Sequence, residues 1–463
     1  MFDTQTYIDR RKVLKQHLTS GIILLLGNEE SSMSYADNHY DFRQDSTFLY
    51  YFGLDKPHLA AIIDIDEDKE ILFGDDPTID EIVWTGPVPS LQDLARKSGI
   101  GHCQAYNKSN DYLQGKTNRD IHFLPPYRPE HIIKLQQWFG FTLPEIEKRK
   151  SLPLIHAIVK QRSIKTDEEI EQIEESVAIS AAMHLEAMRS VHPGMKEYEL
   201  ASVVRQKALE HNGRLAFPTI LTKNGQILHN HFHGNTIRDG DMVLCDAGAE
   251  NEMHYAGDLT RIFPAGNRFT GVQRDFYSTV LEAQQAAAEA MKPGIPFKEV
   301  HLTACRRLAE GLKEVGLMRG NVDDAVSAGA HTLFFQCGLG HMMGLDVHDM
   351  ENLGEEHVGY TKNMRKSTEF GLKSLRLARE LQEGFVLTVE PGIYIIPVLI
   401  DLWRKEHKHK EFINYDVLEK YKEFGGIRIE DDYLITSEAS RRLGPYLPKT
   451  IQEIEDLRSG ALT

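Results

Sequence analysis

The sequence predicts an α/β protein of two domains, the second of which contains one α/β unit twice. At 463 residues it exceeds what a single hydrophobic core normally organises. Short apolar runs punctuated by Gly, Asp and Pro fill residues 21–74, and long helical patterns with Pro-Gly breaks recur after residue 166. We therefore expect an amino-terminal α/β domain over residues 1–160 and a second domain over residues 161–463.

Composition narrows the class of protein. Apolar residues make up 41% and charged residues 26%, which is typical of a globular protein, and the formal net charge is −16. This acidity argues against nucleic acid or an anionic membrane as a partner and leaves small molecules or peptides. The first residues lack a signal-peptide pattern and no apolar run approaches the roughly 20 residues of a membrane span, so we expect a cytoplasmic protein.

The four cysteines are scattered along the chain, without CxxC spacing. Their spacing predicts neither a disulfide framework nor a zinc site made of thiolates. If the protein holds a metal, we expect oxygen and imidazole ligands.

The amino-terminal domain begins as a series of short apolar runs. "GIILLLG", "STFLYYFG", "LAAIIDID" and "EILFG" indicate strands, and "SLQDLARKSG" indicates a helix that follows them. These patterns predict the fold of the domain but no chemistry.

A clear helical pattern opens the second domain at Thr166. Thr166 and Glu169 have the spacing of a capping box, and apolar residues then recur at helical spacing as far as Pro193-Gly194. A second helix is predicted in "YELASVVRQKALEHNG". The same order returns further on, where "YSTVLEAQQAAAEAMK" ends at Pro293-Gly294 and "FKEVHLTACRRLAEGLKEVG" follows.

Two strand patterns extend this repeat and carry acids. "GDMVLCDAG" and "GFVLTVEPG" align Asp246 with Glu390, and each is followed downstream by a second acid, Asp258 in "AGDLTRIF" and Glu430 in "IRIEDDYLI". We interpret this as an internal duplication in which each half supplies two carboxylates. The alternative is a pair of merely similar hairpins.

Acids interrupting apolar strands need a partner, because a buried carboxylate otherwise neutralises. Four carboxylates brought together repel one another unless cations neutralise them, and a carboxylate-bridged pair of divalent ions does so. Such a pair also lowers the pKa of a shared water and so can supply a hydroxide nucleophile. An imidazole ligand is expected in "CGLGHMMGLDVHD", where glycines allow close approach around His341 and His348, although a lone histidine is more often structural.

Five motifs in order identify a family. The runs "DAG", "GDLTR", "GLGHMMGLDVHD", "VEPGIY" and "GIRIEDD" resemble the creatinase, aminopeptidase P and prolidase family, and "FRQDSTFLYYFGL" is similar to the amino-terminal domain of aminopeptidase P and prolidase. The resemblance implies a pita-bread catalytic domain with a pseudo-twofold α/β repeat. It also implies two divalent metal ions, manganese first with cobalt or zinc as alternatives, held by Asp246, Asp258, His341, Glu390 and Glu430.

The family mechanism implies roles for further residues. Glu390 would accept and pass on the proton of the attacking water while remaining a ligand, and His348 would hydrogen-bond substrate and help stabilise the tetrahedral intermediate. His229 in "LHNHFHGN" matches the family's other substrate histidine, although an alternating histidine strand that faces solvent is the plain alternative. Arg428 would orient Glu430, or form an ordinary cross-strand salt bridge.

One position departs from the family pattern. The family usually has a histidine four residues before the ligand histidine, where it contacts substrate, and here that position is Cys337. Cys337 would weaken this substrate contact, or be a small buried residue whose missing group a neighbour supplies, or bind metal as a thiolate.

The resemblance implies an Xaa-Pro peptidase. The segment between Glu390 and Glu430 is similar to an insertion in some bacterial aminopeptidase P-like members, which favours an aminopeptidase acting on longer Xaa-Pro peptides. The alternatives are an Xaa-Pro dipeptidase (prolidase), a methionine aminopeptidase, against which the long amino-terminal domain argues, and a pita-bread protein that binds peptides or a partner without hydrolysis. A homodimer or homotetramer is expected.

Overall fold

A computed structural model describes residues 1–116 and 118–461. The chain divides into two compact units. The first comprises Met1–Arg162 with Asn352–His357, and the second comprises Ser163–Glu351 with the chain from Val358 onward.

The first unit is a mixed sheet with flanking helices. Its strands are β1 (Ile22–Leu26), β2 (Ala60–Asp64), β3 (Lys69–Gly74), β4 (His102–Ala105) and β5 (Ile121–His122). They lie in the order β4-β3-β2-β1-β5; β2 is antiparallel to both β1 and β3, whereas β4 and β5 pair in parallel at the edges. The helices are α1 (Thr4–Lys15), α2 (Ser46–Phe52), α3 (Ile79–Thr85), α4 (Leu91–Lys97), α5 (Lys108–Gln114), α6 (Pro129–Phe139), α7 (Leu143–Arg149) and α8 (Leu152–Ser163).

The strand prediction for "STFLYYFG" is wrong, because this run is helix α2. The side chain of Asp45 accepts a hydrogen bond from the Phe48 N–H, and Gly53 ends the helix in the left-handed conformation with φ 63°. Arg10 and Arg11 donate to the carbonyls of Tyr50 and Tyr51 in the last turn. The two caps and these buried guanidinium groups therefore override the β preference of the aromatic run.

The second unit is built from several small sheets and long helices. Its strands are β6 (Arg214–Leu215), β7 (Ile220–Thr222), β8 (Met242–Ala247), β9 (Ala249–Glu250), β10 (Leu259–Pro264), β11 (Val386–Val389), β12 (Gly392–Tyr394), β13 (Gly426–Arg428), β14 (Asp431–Ile435) and β15 (Ser440–Arg442). The helices are α9 (Asp167–Ser190), α10 (Glu197–Glu210), α11 (Gly271–Ala290), α12 (Phe297–Glu314), α13 (Val322–Ser327), α15 (Pro397–Lys405), α16 (Tyr415–Leu418) and α17 (Ile451–Ala461), while α14 (Glu355–Val358) falls almost wholly within the segment Asn352–His357 of the first unit. Short 3-10 turns lie at Ala330–Leu333, Leu372–Ser374 and Glu419–Tyr421, and a further one, Glu351–Leu353, leads into that segment of the first unit.

Helix α9 begins where the sequence predicts. Thr166 caps it by accepting from the Glu169 N–H, and the Glu169 carboxylate accepts from the Thr166 N–H, so the capping box is formed. Each half of the repeat has one three-stranded sheet. The first half contains β10-β8-β7, and the second half contains β11-β14-β15.

The predicted duplication is confirmed in the backbone hydrogen bonds. Gly194, at φ 96°, donates its N–H to Ile237, which donates back to Met195; Gly294, at φ 85°, donates to Leu381, which donates back to Ile295. Both turns follow a Pro-Gly break, and both glycines have a positive φ that other residues adopt at a cost. The two halves therefore share backbone pairing as well as helix order.

The segment between Glu390 and Glu430 contains α15, α16 and the 3-10 turn Glu419–Tyr421. A bridge from Met318 to Ile413 connects it to the region that follows α12. Among the helices of residues 1–116 and 118–461, none combines the length and apolar character that crossing a bilayer requires.

Candidate metal centre

The predicted ligand acids lie at or beside strands of the second unit. Asp246 is inside β8, whereas Asp258 immediately precedes β10, Glu390 immediately follows β11 and Glu430 lies between β13 and β14. Three of the four acids are thus at strand ends rather than within strands. Strand ends fix the backbone while leaving the carboxylates at an edge where they can meet.

Pairing between strands brings the two halves together. In the antiparallel pair β8 and β10, Asp246 is opposite Thr260, and an isolated bridge joins Thr260 to Glu430. The Glu430 N–H donates to the Thr260 carbonyl at 3.1 Å, and the Thr260 hydroxyl donates to Glu430 Oε2 at 2.6 Å. A residue of the first half therefore positions a carboxylate of the second.

His341 lies among these carboxylates. Its Nε2 is 3.4 Å from Asp258 Oδ2 and 3.8 Å from Glu390 Oε1, while its Nδ1 is 3.1 Å from the Met342 carbonyl. A proton on Nδ1 donated to that carbonyl leaves the Nε2 lone pair directed at the acids, which is the arrangement of a metal-ligating histidine. The preceding residue must be glycine, because a Cβ on Gly340 would meet the Thr388 carbonyl oxygen at 2.0 Å.

We call the following five residues the carboxylate centre: Asp246, Asp258, His341, Glu390 and Glu430. Three of them, Asp258, His341 and Glu430, offer ligand atoms that all lie within 4.8 Å of one another. Asp246 and Glu390 line the same cavity.

The charge of the carboxylate centre calls for cations. Burial, reinforced by the neighbouring carboxylates, raises the pKa of both Asp258 and Glu430 well above the usual range. Asp258 Oδ1 is buried with no hydrogen-bond partner among the described residues. An oxygen left without a partner beside three other acids fits a site made to hold metal, and four carboxylates with one imidazole suit a fairly hard divalent ion.

Arg428 is fully enclosed beside the carboxylate centre. It donates to Asp246 Oδ2 through Nη2, to the Thr260 hydroxyl at 3.2 Å through Nε, and to the Tyr394 hydroxyl at 3.0 Å through Nη1. It therefore pairs with Asp246 and reaches Glu430 through Thr260, whereas the sequence predicted direct orientation of Glu430. Thr260 and Tyr394 were not predicted as site residues, although Thr260 shares a strand face with Asp258 in "GDLTR".

A cavity of about 620 Å³ opens over the centre. Its apolar side includes Phe217, Pro218 and Leu228, and His229 and His231 also line it. The alternating histidine run is not a strand, because residues 227–235 form turns and irregular backbone. His229 thus faces the same space as the acids, as the resemblance implied for a substrate-contacting residue.

His348 also lines this cavity, in contact with Glu351 and Arg376. Its ring centroid is 4.1 Å from that of His341, its Nδ1 is 2.5 Å from Glu351 Oε2, and Arg376 Nη1 lies 3.1 Å from the same nitrogen. Burial, with a smaller contribution from His341, lowers the pKa of His348 to about 4. Arg376 was missed by sequence reasoning, since nothing in "LKSLRLARE" distinguishes it from a surface arginine.

Cys337 also lines the cavity. Burial, followed by the neighbouring Glu390 carboxylate, raises the pKa of its thiol. A protonated thiol is only a weak hydrogen-bond donor.

The chain is similar to known peptidases. Residues 171–437 match the model of metallopeptidase family M24, and residues 7–122 match the aminopeptidase P amino-terminal domain. The chain is 34% identical to a human Xaa-Pro dipeptidase over 95% of its own length and 89% of the relative's. It is 30% identical to the Xaa-Pro aminopeptidase of Escherichia coli strain K12, over 99% and 98% of the two chains.

A solved structure of E. coli aminopeptidase P with the inhibitor Pro-Leu superposes on the whole chain with a TM-score of 0.82 at 28% identity, covering 99% of that chain. The predicted fold class, an amino-terminal domain followed by a pita-bread domain, is therefore confirmed.

Proposed function

The chain belongs to metallopeptidase family M24, and from that premise we propose that it is a dimetal Xaa-Pro aminopeptidase, which cleaves the bond between an amino-terminal residue and a following proline. The observation that supports this most strongly is the convergence of four carboxylates and His341 beneath one cavity. Family membership implies divalent metal; two ions per chain, manganese first and cobalt or zinc as alternatives, are our proposal. Their ligands would be Asp246, Asp258, His341, Glu390 and Glu430.

The donor set fits the proposed metals. Carboxylates favour hard divalent ions and imidazole adds a preference for a transition ion, a combination that manganese satisfies. When bound, the ions would polarise the scissile carbonyl and lower the pKa of the attacking water. The remaining chemistry falls to the side chains around the cavity.

Glu390 is the carboxylate of the centre with the greatest solvent exposure, 22% of its side chain. We assign it acceptance of the proton from the attacking water and its delivery to the departing amine. His348, whose Nδ1 lies 2.5 Å from Glu351 Oε2, would hydrogen-bond the substrate and help stabilise the tetrahedral intermediate. His229, which lines the same cavity, would also contact the substrate.

Parallel assays of an Xaa-Pro dipeptide and an Xaa-Pro-Yaa tripeptide after manganese loading test the proposal. We expect release of the first residue from the tripeptide at the higher kcat/KM. Hydrolysis of neither peptide by the metal-loaded protein would favour the non-catalytic alternative, and cleavage of peptides lacking proline with equal efficiency would contradict the specificity.

One observation favours the dipeptidase as a second candidate. Arg376 brings a guanidinium group to the cavity beside His348, where it could pair with the carboxylate of a bound dipeptide. The human relative at 34% identity is an Xaa-Pro dipeptidase. If Arg376 serves that purpose, Arg376→Gln will raise KM for the dipeptide far more than for a tripeptide; an equal rise for both would leave the aminopeptidase as the better proposal.

We further propose a cytoplasmic location and a homodimer or homotetramer. All four cysteines are free, in keeping with a reducing compartment. Light scattering of the purified protein measures the oligomeric state directly, and a monomer at micromolar concentration would contradict this part of the proposal.

A further inference from the structure

A second cluster of metal-binding side chains lies apart from the carboxylate centre. We call His301, Cys305 and His331 the thiol cluster. Its three side chains offer ligand atoms that all lie within 4.8 Å of one another, and the residues are 2%, 0% and 3% exposed. None of them was predicted from the cysteine spacing.

Two local elements bring the donors together. His301 and Cys305 are four residues apart on α12 and therefore share one face of the helix. His331 lies in the 3-10 turn Ala330–Leu333. Cys305 Sγ is 3.4 Å from His301 Nε2, close to the ~3.6 Å that separates sulfur and nitrogen ligands around tetrahedral zinc, given Zn–S near 2.3 Å and Zn–N near 2.1 Å.

The ordinary interpretation is that these are packed, neutral core histidines, and the hydrogen bonding argues against it. Nδ1 of His301 and Nδ1 of His331 are both buried without a hydrogen-bond partner among the described residues. Buried polar atoms are normally paired. His301 already meets the thiol through Nε2, so its Nδ1 stays unpaired with or without a metal; the unpaired Nδ1 of His331, beside a thiol and a second imidazole, is the atom that indicates an absent ligand.

We propose that His301, Cys305 and His331 form a buried zinc site that joins α12 to the 3-10 turn preceding the loop with Cys337 and His341. Imidazole and thiolate are the donors that zinc prefers, and the thiol cluster has no carboxylate to attract manganese. Binding deprotonates Cys305, so each ion taken up releases a proton from the sulfur. A small ligand such as water would fill the fourth position. The site is independent of the proposed peptidase activity.

Cobalt substitution of the full-length protein tests the site without an activity assay. After chelation and reloading with Co²⁺, a thiolate ligand produces a near-ultraviolet charge-transfer absorption that carboxylate and imidazole ligands do not. We expect this absorption in the parent, its loss in Cys305→Ser, and its retention in Cys337→Ser and in the control Cys103→Ser.

Three results would overturn the proposal: no charge-transfer absorption in the parent, its persistence in Cys305→Ser, or its loss in Cys337→Ser alone, which would assign the thiolate to the carboxylate centre. His331→Gln is the second variant, expected to weaken cobalt binding at this site at least tenfold. If neither variant folds, X-ray absorption of the zinc-loaded Cys337→Ser protein decides, since a zinc–sulfur shell supports the site and its absence contradicts it.

Discussion

The carboxylate centre and the thiol cluster are both buried in the second unit, yet they differ in charge. The carboxylate centre has four acids and one contacting guanidinium, Arg428, so with its acids ionised it is strongly negative without cations. The thiol cluster is neutral when its thiol is protonated, and it tolerates the absence of metal at the cost of unpaired nitrogens. Cations or protons therefore have to balance the charge at the first site, whereas at the second a metal would add a cross-link.

The largest expected effect is the loss of peptidase activity when metal is removed from the carboxylate centre. Chelation should abolish peptidase activity, and manganese should restore it better than calcium or magnesium, because an imidazole ligand favours a transition ion. Metal analysis of the manganese-loaded protein should find close to two ions per chain. Full turnover in excess chelator, with no metal detected, would contradict the assignment of the carboxylate centre.

Removing one carboxylate should be almost as damaging. Asp258→Asn leaves fewer charges for the cations, and we expect kcat/KM to fall by about a thousandfold or more, equivalent to roughly 4 kcal/mol. Circular dichroism should show an unchanged fold. Asp416→Asn, at a side chain that is 91% exposed, is the matched control and should be neutral. Near-normal turnover of Asp258→Asn with unchanged metal content would mean that the ligands are misassigned.

A smaller effect is expected from the hydroxyl that supports the centre. Thr260→Val keeps the shape of the side chain but removes the donor to Glu430 and the acceptor for Arg428. Loss of such an outer contact typically lowers metal affinity or activity about 10- to 100-fold. Titration of the apoenzyme with manganese measures the change in metal affinity. Thr436→Val, at an exposed turn, is the control, and equal metal affinities for the two variants would show that Thr260 does not position Glu430.

The two sites should respond to pH with opposite signs in the chelated protein. The folded-state pKa values of Asp258 and Glu430 are raised, so the folded protein keeps protons that the unfolded chain releases above about pH 4, and stability falls as pH rises. Burial lowers the pKa of His301 to about 3 and of His331 to about 4, so the unfolded chain alone takes up protons below about pH 6.5, and stability falls as pH drops.

Urea unfolding of the chelated protein at several pH values measures both trends, each up to about 1.4 kcal/mol per pH unit for every proton by which the two states differ. Manganese loading should remove the loss at high pH, and His331→Gln should reduce the loss at low pH. A pH-independent stability in the chelated protein would contradict both assignments.

The smallest effect concerns Cys337. Replacing it with histidine supplies a stronger and longer donor at the cavity wall, and we expect kcat/KM for Xaa-Pro peptides to rise several-fold, with Cys337→Ala as the control. A histidine variant no faster than the parent would rule out a weakened substrate contact. Loss of metal in Cys337→Ala would instead identify the thiol as a ligand.

Structural features with a local cause were predicted from the sequence, whereas a feature that depends on distant contacts was not. The capping box of α9 and the Pro-Gly breaks are local, and both were predicted from spacing alone. Helix α2 was mispredicted because Arg10 and Arg11, more than 30 residues away in sequence, satisfy its carbonyls. Propensity within a short window cannot include such contacts.

The same limit applies to the candidate site. The five proposed ligands stand in recognisable motifs, and the structure brings them to one cavity. The supporting contacts of Thr260, Tyr394 and Arg376 depend on tertiary pairing. The thiol cluster forms only because the turn with His331 packs against the helix face that carries Cys305, 26 residues earlier in the chain. The spacing of His301 and Cys305 and that of Thr260 and Asp258 are visible in the sequence, but nothing there shows that His331, Tyr394 or Arg376 would meet them.

The contact between Arg428 and Asp246 spans 182 positions of the chain. During synthesis, Asp246 and Asp258 emerge long before the guanidinium and the last carboxylate, Glu430, that complete the centre. A nascent chain that stops short of residue 428 carries the acids of the first half without the cation that contacts Asp246. Metal capture by the carboxylate centre should therefore be a late event in biogenesis, and the appearance of metal at this centre would report that both halves of the duplicated domain have been made and have closed on one another.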